Sequence, residues 1–292
     1  MSRWLAIVNP AAGRRGVGRR LALRLAALAH TGVELAETAG PGDGVRLARE
    51  AAGYDGLVAV GGDGTIAEVL NGMDRRRQLL ALLPAGHGNC LARDCGIADL
   101  PAALAALVAG RASAIDLIHA RIEFADGRVE ERWCASTLAV GYVADVVAFG
   151  RRRLGWLGRY AYATAALAVR PRRRRLRVGI DASAGCRALT NVVINNTAHL
   201  ANFRAFRDAR LDDGSLDVLE ADFGWPRQQL HNLAVLAGSA RFGPPALWAA
   251  PSVTVACEAP GRLMVDGELE QGVVRLHARC ERAGVRCLVT PR

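Results

Sequence analysis

The feature that most constrains the fold is a buried-strand pattern that ends in a cluster of glycines and passes straight into a helical pattern. Residues 57–60 are all apolar, and Gly-Gly-Asp-Gly-Thr follows at 61–65. From Ile66 to Met73 apolar residues recur at helical spacing and form one face. A strand joined to a helix by so short a turn predicts a βα unit of a layered α/β domain.

The glycine turn has the properties of a phosphate-binding loop. Glycines let the backbone approach an anion and adopt positive φ. The helix that follows points its free N–H groups and its dipole at that anion. A bare phosphate would repel Asp63, so this carboxylate indicates a metal-bound nucleotide or a proton-accepting role. The alternative is an ordinary tight turn in which Asp63 caps the helix.

Two further loops follow apolar, strand-like runs in the same half of the chain. Asn-Pro-Ala-Ala-Gly at 9–13 follows one run, and Pro-Ala-Gly-His-Gly-Asn at 84–89 follows another. In open α/β sheets, ligands bind beyond the carboxyl ends of the strands. Each loop alone is a weak signal, but three such turns at three strand ends predict one shared crevice.

The sequence pattern changes near residue 120. Before it, strand-like runs such as 114–118 alternate with helical stretches such as 17–29, which favours a parallel sheet. After it, a hairpin at 121–140 turns at Asp126-Gly127, and helical patterns cover 143–170 and 226–238. Further strand-like runs lie at 176–180, 189–194, 216–223, 253–257 and 273–278. We predict an α/β domain at 1–119 and a mainly antiparallel, β-sandwich-like domain at 120–282.

The chain is strongly basic. All 38 basic residues are arginines, against 28 acids, which gives a net charge of +10. This bias fits either an arginine-rich proteome or attraction to a polyanion. The densest runs lie at 151–153 and 170–177; we expect the arginines at 172–175 to dock on anionic lipid head groups, with a solvated face as the alternative. No nucleic-acid-binding motif accompanies the charge, so we expect no nucleic acid partner.

Other composition signals exclude several classes of protein. Seven cysteines without CxxC spacing and six scattered histidines predict neither disulfides nor a zinc site. No apolar run of about 18 residues is free of charge, so we expect no transmembrane helix. The first residues lack the pattern of a secretion signal. We therefore expect a cytoplasmic protein that associates peripherally with the inner face of the membrane.

The order of the motifs resembles the diacylglycerol kinase catalytic domain, a family that includes bacterial lipid kinases, sphingosine kinases and ceramide kinases. The resemblance begins with 9–13 and with 61–65, and it spans nearly the whole chain in the family's order. The other residues that carry the resemblance are Glu68, Asn71-Gly72, Pro84, Gly86, Asn89, Ala92-Arg93, Asp116, the Asp-Asp-Gly-Ser-Leu-Asp segment at 212–217 and Asp-Gly-Glu at 266–268.

The resemblance implies transfer of the γ-phosphoryl group of ATP to a lipid hydroxyl, with Mg²⁺. The family's active site lies between its two domains, and its chain end, here residues 283–292, returns to the first domain. Glu268 would accept the proton of the lipid hydroxyl, and Asp63 would act through Mg²⁺. A structural Mg²⁺ would be held by Arg210, Asp213 and Ser215. The nucleotide would be bound by Asn9, Pro10, Ala11, Ala12, Gly13, Thr38, Gly61, Gly62, Asp63, Gly64, Thr65, Ile66, Ala67, Glu68, Gly86, His87 and Asn89.

This chain departs from the family pattern at three places. His87 replaces a threonine that normally binds nucleotide, Cys90 replaces an acid, and the glycine cluster that precedes Asp212 is absent at 201–206. An imidazole at position 87 can still donate a hydrogen bond to a nucleotide. Two other functions remain open: a small-molecule kinase of the NAD kinase type, which shares the glycine turn, and a non-catalytic nucleotide-binding protein at the membrane.

Overall fold

A computed structural model describes residues 3–13, 20, 32–86, 88–180, 185–200, 203–204, 206, 208–236 and 246–290. Apart from Arg20, the helix predicted at 17–29 lies outside the described residues, and so does the site residue His87. The strands are β1 (Trp4–Val8), β2 (Val33–Glu37), β3 (Gly56–Gly61), β4 (Leu79–Pro84), β5 (Ala112–Phe124), β6 (Val129–Cys134), β7 (Thr137–Gly141), β8 (Arg174–Gly179), β9 (Cys186–Leu189), β10 (Asn191–Asn195), β11 (His199–Leu200), β12 (Phe203–Arg204), β13 (Leu216–Ala221), β14 (Ala246–Ala250), β15 (Ser252–Val265) and β16 (Glu268–Leu288). The helices are α1 (Asp43–Glu50), α2 (Asp63–Gly72), α3 (Cys90–Asp94), α4 (Leu100–Ala109), α5 (Tyr142–Leu154), a 3₁₀ helix (Gly155–Tyr160), α6 (Ala161–Ala168) and α7 (Trp225–Leu236).

The first part of the sheet is parallel. Its strands pair in the order β2-β1-β3-β4, all in parallel register. Every residue of β3 is buried, which explains why this strand has an uninterrupted apolar sequence instead of an alternating one. Helix α2 packs Ile66, Val69 and Leu70 into the same core. The carboxyl ends of β1 to β4 therefore lie at one edge of the sheet.

The second part of the sheet is antiparallel. Its strands follow the order β14-β13-β10-β7-β15-β16, with β6 on β5, β8 on β15 and β9 on β8. The apolar residues of these strands, among them Val140, Val192 and Val218, form a separate core. The predicted fold class, a parallel α/β part followed by a mainly antiparallel β part, is confirmed.

Two long strands, β5 and β16, run through both parts as one antiparallel ladder. Along β5, Leu117 packs in the first core and Ile118 in the second. At the far end of β16, Cys287 pairs with Leu80 of β4 in parallel register. The boundary that we predict near residue 119 thus falls inside a continuous strand, and the strand predicted at 114–118 extends to Phe124.

Several other predicted strands have different bounds in the structure. The run at 189–194 is two strands, because the backbone N–H and the hydroxyl of Thr190 both donate to the carbonyl of Ala221, at 2.8 and 3.0 Å. The runs at 253–257 and 273–278 are pieces of the longer β15 and β16. The irregular register of these two strands near Gly261 interrupts the apolar alternation that marks a strand in the sequence.

Candidate active site

A cavity of about 490 Å³ lies at the carboxyl ends of the parallel strands. Residues of the second part of the chain also line it. The predicted site residues that line it are Asn9, Pro10, Ala11, Ala12, Gly13, Thr38, Gly62, Gly64, Thr65, Glu68, Gly86 and Glu268. The structure therefore brings the three predicted loops and the late carboxylate together in one place.

The first loop is fixed against the glycine turn by Asn9. Its amide nitrogen donates to the hydroxyl of Thr65 at 3.2 Å, and its amide oxygen accepts the N–H of Ala11 at 3.0 Å. The backbone N–H of Asn9 also donates to the carbonyl of Val60, at 3.0 Å. These bonds hold residues 9–13 beside the loop at 61–65. An asparagine is suited to this strand end because its amide can both donate and accept a hydrogen bond.

The second and third loops approach each other closely at two glycines. A Cβ atom on Gly86 would lie 2.5 Å from the Cα of Gly62 and 2.9 Å from the side-chain oxygen of Asn89. The N–H of Ala85 donates to the carbonyl of Gly61 at 2.8 Å. Only glycine at position 86 permits this contact, because the obstacle is backbone and cannot rotate away.

We expect Gly86→Ala to destabilise the protein by about 1–3 kcal/mol, the usual cost of overpacking, and to weaken nucleotide binding because the two loops are pushed apart. Thermal unfolding and calorimetric titration with ATP measure the two effects. Gly53→Ala is a suitable control, since a Cβ atom there would meet nothing within 4 Å. Unchanged ATP affinity in Gly86→Ala would mean that the spacing of the two loops does not matter for the site.

Asp63 does not line the cavity. Its two carboxylate oxygens accept the backbone N–H groups of Asn89 at 2.9 Å and Cys90 at 2.7 Å, at the start of α3. It does not cap its own helix, whose first turn is preceded by Gly62. Burial, and then the charge of Asp266, raise the pKa of Asp63 to about 6. The carboxylate thus holds the loop at 84–90 in place, a role that neither sequence-based interpretation of Asp63 includes.

Glu68 anchors the loop that follows β2. Its carboxylate oxygens accept the N–H groups of Gly42 and Gly44, both at 2.8 Å. The N–H of Thr38 donates to the carbonyl of Val8 at 2.8 Å, which continues the β1–β2 ladder to the edge of the cavity. Ala39, Gly40 and Pro41 also line the cavity and were missed in the sequence, although the Gly-Pro-Gly turn at 40–42 is a signal that could have indicated them.

The second part of the chain contributes Asp266, Glu268 and Arg151 to the cavity. Asp266 is buried and accepts three N–H groups, from Ala135, Ser136 and Thr137, at 2.8–2.9 Å. It also accepts the hydroxyl of Ser136, at 2.6 Å. Asp266 therefore stabilises the turn that presents Glu268. The sequence pattern did not indicate Arg151 as a cavity residue, because this arginine belongs to a run of three.

Glu268 differs from the other carboxylates of the site. Within the described part of the chain, its carboxylate accepts no hydrogen bond and forms no ion pair. It is half-buried, and its pKa is raised by this burial and by the charge of Glu68. Glu268 is thus a carboxylate that faces the cavity with its oxygens free for a ligand.

Several predicted site residues do not reach the cavity. Ile66 is buried in the first core, and Gly61, Ala67 and Asn89 do not line the cavity. The side chain of Asn89 instead closes the loop on itself, accepting the N–H of Gly86 at 3.1 Å and donating to the carbonyl of Gly86 at 2.9 Å. Asn89 thus stabilises its own loop without lining the cavity.

Arg210, Asp213 and Ser215 lie on a separate turn before β13. Asp213 accepts the N–H of Ser215 at 2.9 Å. Asp116 fixes this turn to the β5–β16 ladder, since it accepts the N–H groups of Gly214 at 2.7 Å and Ala283 at 2.8 Å. In the described ranges no group of three or more His, Cys, Asp or Glu side chains is placed to hold a metal ion. A cation here would need backbone carbonyls besides Asp213, and its binding remains a prediction.

The comparisons with known proteins agree with this arrangement. Residues 3–120 match the family model described as diacylglycerol kinase catalytic domain. Over 110 residues the chain is 43% identical to the Pseudomonas aeruginosa protein named "Probable lipid kinase YegS-like", a match that covers 36% of this chain and 32% of that protein. A Staphylococcus aureus diacylglycerol kinase is 28% identical over 224 residues, which is 73% of this chain and 68% of the relative.

The fold extends the likeness beyond the matched segment. The crystal structure of a diacylglycerol kinase from Bacillus anthracis superposes with a TM-score of 0.78 at 20% identity, covering 99% of this chain and 98% of that one. The chain spans only about a third (32%) of the length of the Pseudomonas relative, and the match to the family model is confined to residues 3–120. Residues 3–120 are thus similar in sequence to the diacylglycerol kinase catalytic domain, and the whole chain has the fold of the Bacillus anthracis structure.

Proposed function

We propose that the protein is an ATP-dependent lipid kinase that transfers the γ-phosphoryl group to a hydroxyl of a diacylglycerol-like or sphingoid lipid. The observation that carries this proposal is the cavity, where three glycine-containing loops face the free carboxylate of Glu268. Loops at the carboxyl ends of parallel strands suit phosphates. A carboxylate that faces these loops is suited to act as the base that accepts the proton of the acceptor hydroxyl.

The chemistry follows from the two faces of the cavity. The loop at 62–65 and Gly13 would bind the phosphates of ATP through backbone N–H groups, since the N–H groups of Asn9, Ala11 and Ala12 already donate within the protein. Glu268 would accept the proton of the lipid hydroxyl while the hydroxyl oxygen forms a bond to the γ-phosphorus. The bond from that phosphorus to the bridging oxygen breaks, and ADP leaves with the electron pair. Burial of Glu268 raises its pKa, which makes the ionised carboxylate a stronger base.

Mg²⁺ would enter with ATP, because this ion keeps several waters and needs only one or two protein carboxylates beside the phosphates. The donor set of the cavity fits such an ion. The carboxylates of Glu68 and Asp266, whose oxygens accept backbone N–H groups, would contact the ion through its waters and leave Glu268 as the base. Mg²⁺ would supply charge neutralisation for the transferred phosphoryl group. Asp63 would act indirectly, by positioning the loop at 84–90.

The proposal is tested by incubating the protein with labelled ATP and Mg²⁺ and with each of four lipids: diacylglycerol, ceramide, sphingosine and phosphatidylglycerol. We expect label in one lipid class. Label transferred to NAD, added as a fifth acceptor, would instead support the small-molecule kinase. ATP binding without transfer to any acceptor would support the non-catalytic protein, and absence of ATP binding at millimolar concentration would refute both kinase functions.

A further inference from the structure

In helix α7 two polar residues are buried and two leucines are exposed. Gln228 and Asn232 are buried, and the Asn232 amide nitrogen donates to the hydroxyl of Tyr142 at 2.8 Å and to the carbonyl of Ala166 at 2.9 Å. Leu230 and Leu233 are 56% and 53% exposed. A surface helix that faces only water normally has the opposite pattern. The exposed leucines therefore indicate that this face meets an apolar partner.

Two exposed tryptophans lie in the same part of the chain, one in α7 itself and one in the 3₁₀ helix. Trp156, in the 3₁₀ helix, is 81% exposed, and Trp225, at the start of α7, is 42% exposed. Helices α5 and α6 share a small core built on Tyr142 and Ala165, and Asn232 of α7 is bonded to both helices through Tyr142 and Ala166. We call residues 142–170 and 225–236 the helical lobe. Tryptophan at an exposed position suits the boundary between head groups and acyl chains.

The charge of the helical lobe is almost entirely positive. Residues 146–170 contain five arginines and no acid, and α7 contains one arginine and no acid. The single acid of the lobe, Asp145, is engaged by Arg174 at 2.6 Å and Arg262 at 3.0 Å. Apolar and aromatic side chains beside arginines are the combination that anionic bilayers attract.

The arginine run at 172–175, which the sequence suggested as the docking element, is less suitable. Three of its members form ion pairs: Arg173 with Asp222 at 2.7 Å, Arg174 with Asp145 at 2.6 Å and Arg175 with Glu258 at 2.8 Å. These partners neutralise much of the charge of the run. The basic residues of the lobe itself, Arg152 and Arg153, are exposed.

The lobe also adjoins the cavity, since Arg151 of α5 lines it. We infer that the helical lobe docks on an anionic bilayer, with Leu230, Leu233 and Trp156 entering the head-group region and Arg152 and Arg153 binding anionic head groups. Docking there would place the cavity at the membrane surface, from which an acceptor lipid can enter. This last consequence rests on the proposed kinase function, whereas the docking itself does not.

Vesicle sedimentation, with phosphatidylcholine vesicles with and without phosphatidylglycerol, tests the inference. We expect the parent protein to bind the anionic vesicles. The double variant Leu230→Ser/Leu233→Ser and the double variant Arg152→Ser/Arg153→Ser should each bind roughly tenfold more weakly. Added salt should weaken binding by the parent more than binding by the arginine variant.

Matched controls change the same residue types elsewhere. Val108→Ser/Leu247→Ser removes two exposed apolar side chains, 89% and 55% exposed, outside the lobe. Arg76→Ser/Arg77→Ser removes two exposed arginines from the turn before β4, at the sheet edge opposite the cavity. Both controls should bind vesicles like the parent. Equal binding by parent, lobe variants and controls would overturn the inference.

Two further measurements distinguish membrane docking from self-association and from the kinase reaction itself. If analytical ultracentrifugation shows a parent dimer that Leu230→Ser/Leu233→Ser dissociates without loss of vesicle binding, then a second copy covers the leucines and the inference is wrong. Phosphorylation of a short-chain, soluble lipid should be equal in the parent and the lobe variants. Failure of that reaction in the parent would refute the kinase function and leave the vesicle result standing.

Discussion

Glu268→Gln should lower turnover by about 100-fold or more, the usual contribution of a general base, and leave ATP affinity within about twofold. Glutamine keeps the size of the side chain but cannot accept the proton of the acceptor hydroxyl. Steady-state rates on a short-chain lipid and calorimetric titration with ATP separate the two quantities. A parallel loss of ATP affinity and turnover would assign Glu268 a structural role.

Glu270→Gln is the matched control for this substitution. It makes the same change of charge two residues along β16, where Glu270 pairs with Arg132 at 2.7 Å outside the cavity. Its turnover should stay close to that of the parent. If both variants lost turnover to a similar extent, the negative charge of this region would be what matters, and Glu268 would not be a specific proton acceptor.

The pH dependence of turnover gives an independent check of the same residue. The ionised form of Glu268 is the base, and burial and the charge of Glu68 raise its pKa. Turnover should therefore increase with pH through a value above that of an ordinary glutamate. Glu68→Gln removes the second cause, so it should move this rise to lower pH. Glu268→Gln should lose the rise altogether.

Asp63→Ala should abolish phosphoryl transfer while the protein remains folded. The substitution leaves the N–H groups of Asn89 and Cys90 without their acceptor, at a cost of about 1–3 kcal/mol for each buried group. Without this anchor the loop at 84–90 can leave its position against Gly62. We expect ATP affinity to fall even when Mg²⁺ is removed by a chelator, since the effect is one of loop position. Near-normal turnover in Asp63→Ala would refute this role.

Asp74→Ala is the control for Asp63→Ala. Asp74 accepts the N–H of Arg76 at 3.1 Å in the turn at the opposite edge of the sheet, so the variant also loses a carboxylate that accepts a backbone N–H group. It should be less stable than the parent but fully active. If Asp63→Ala instead bound ATP normally in chelator and only required more Mg²⁺, Asp63 would be a metal ligand and its observed contacts secondary.

The three loops could be located from the sequence because each combines an uninterrupted apolar strand with glycine at its end. The apolar strand predicts the fold, and the glycine predicts that a ligand can approach the backbone. Gly62, Gly86 and Asn9 could therefore be identified together from the sequence. Asp63 was found as well, but its function depends on the N–H groups of Asn89 and Cys90, which are distant in the sequence. A contact of that kind leaves no pattern in a single sequence.

Other features of the structure could not be predicted for the same reason: they depend on contacts between residues that are distant in the sequence. Arg151 lies in a run of arginines, and only the position of α5 beside the cavity distinguishes it from its neighbours. The inverted pattern of α7 was equally hidden, because its sequence, with leucines three residues apart, resembles an ordinary amphipathic helix. Which face is buried is decided by partners such as Tyr142 and Ala166, far away in the chain.

The pairing of the end of β16 with β4 has a consequence for biosynthesis. Strand β4 is synthesised before the whole β part, but Cys287, its neighbour in the sheet, follows that part. Until residues 286–287 have been made, β4 is therefore an edge strand, able to pair with other nascent chains. The α/β part cannot finish its sheet before the β part has been synthesised, so the two parts must mature together, although each has its own core.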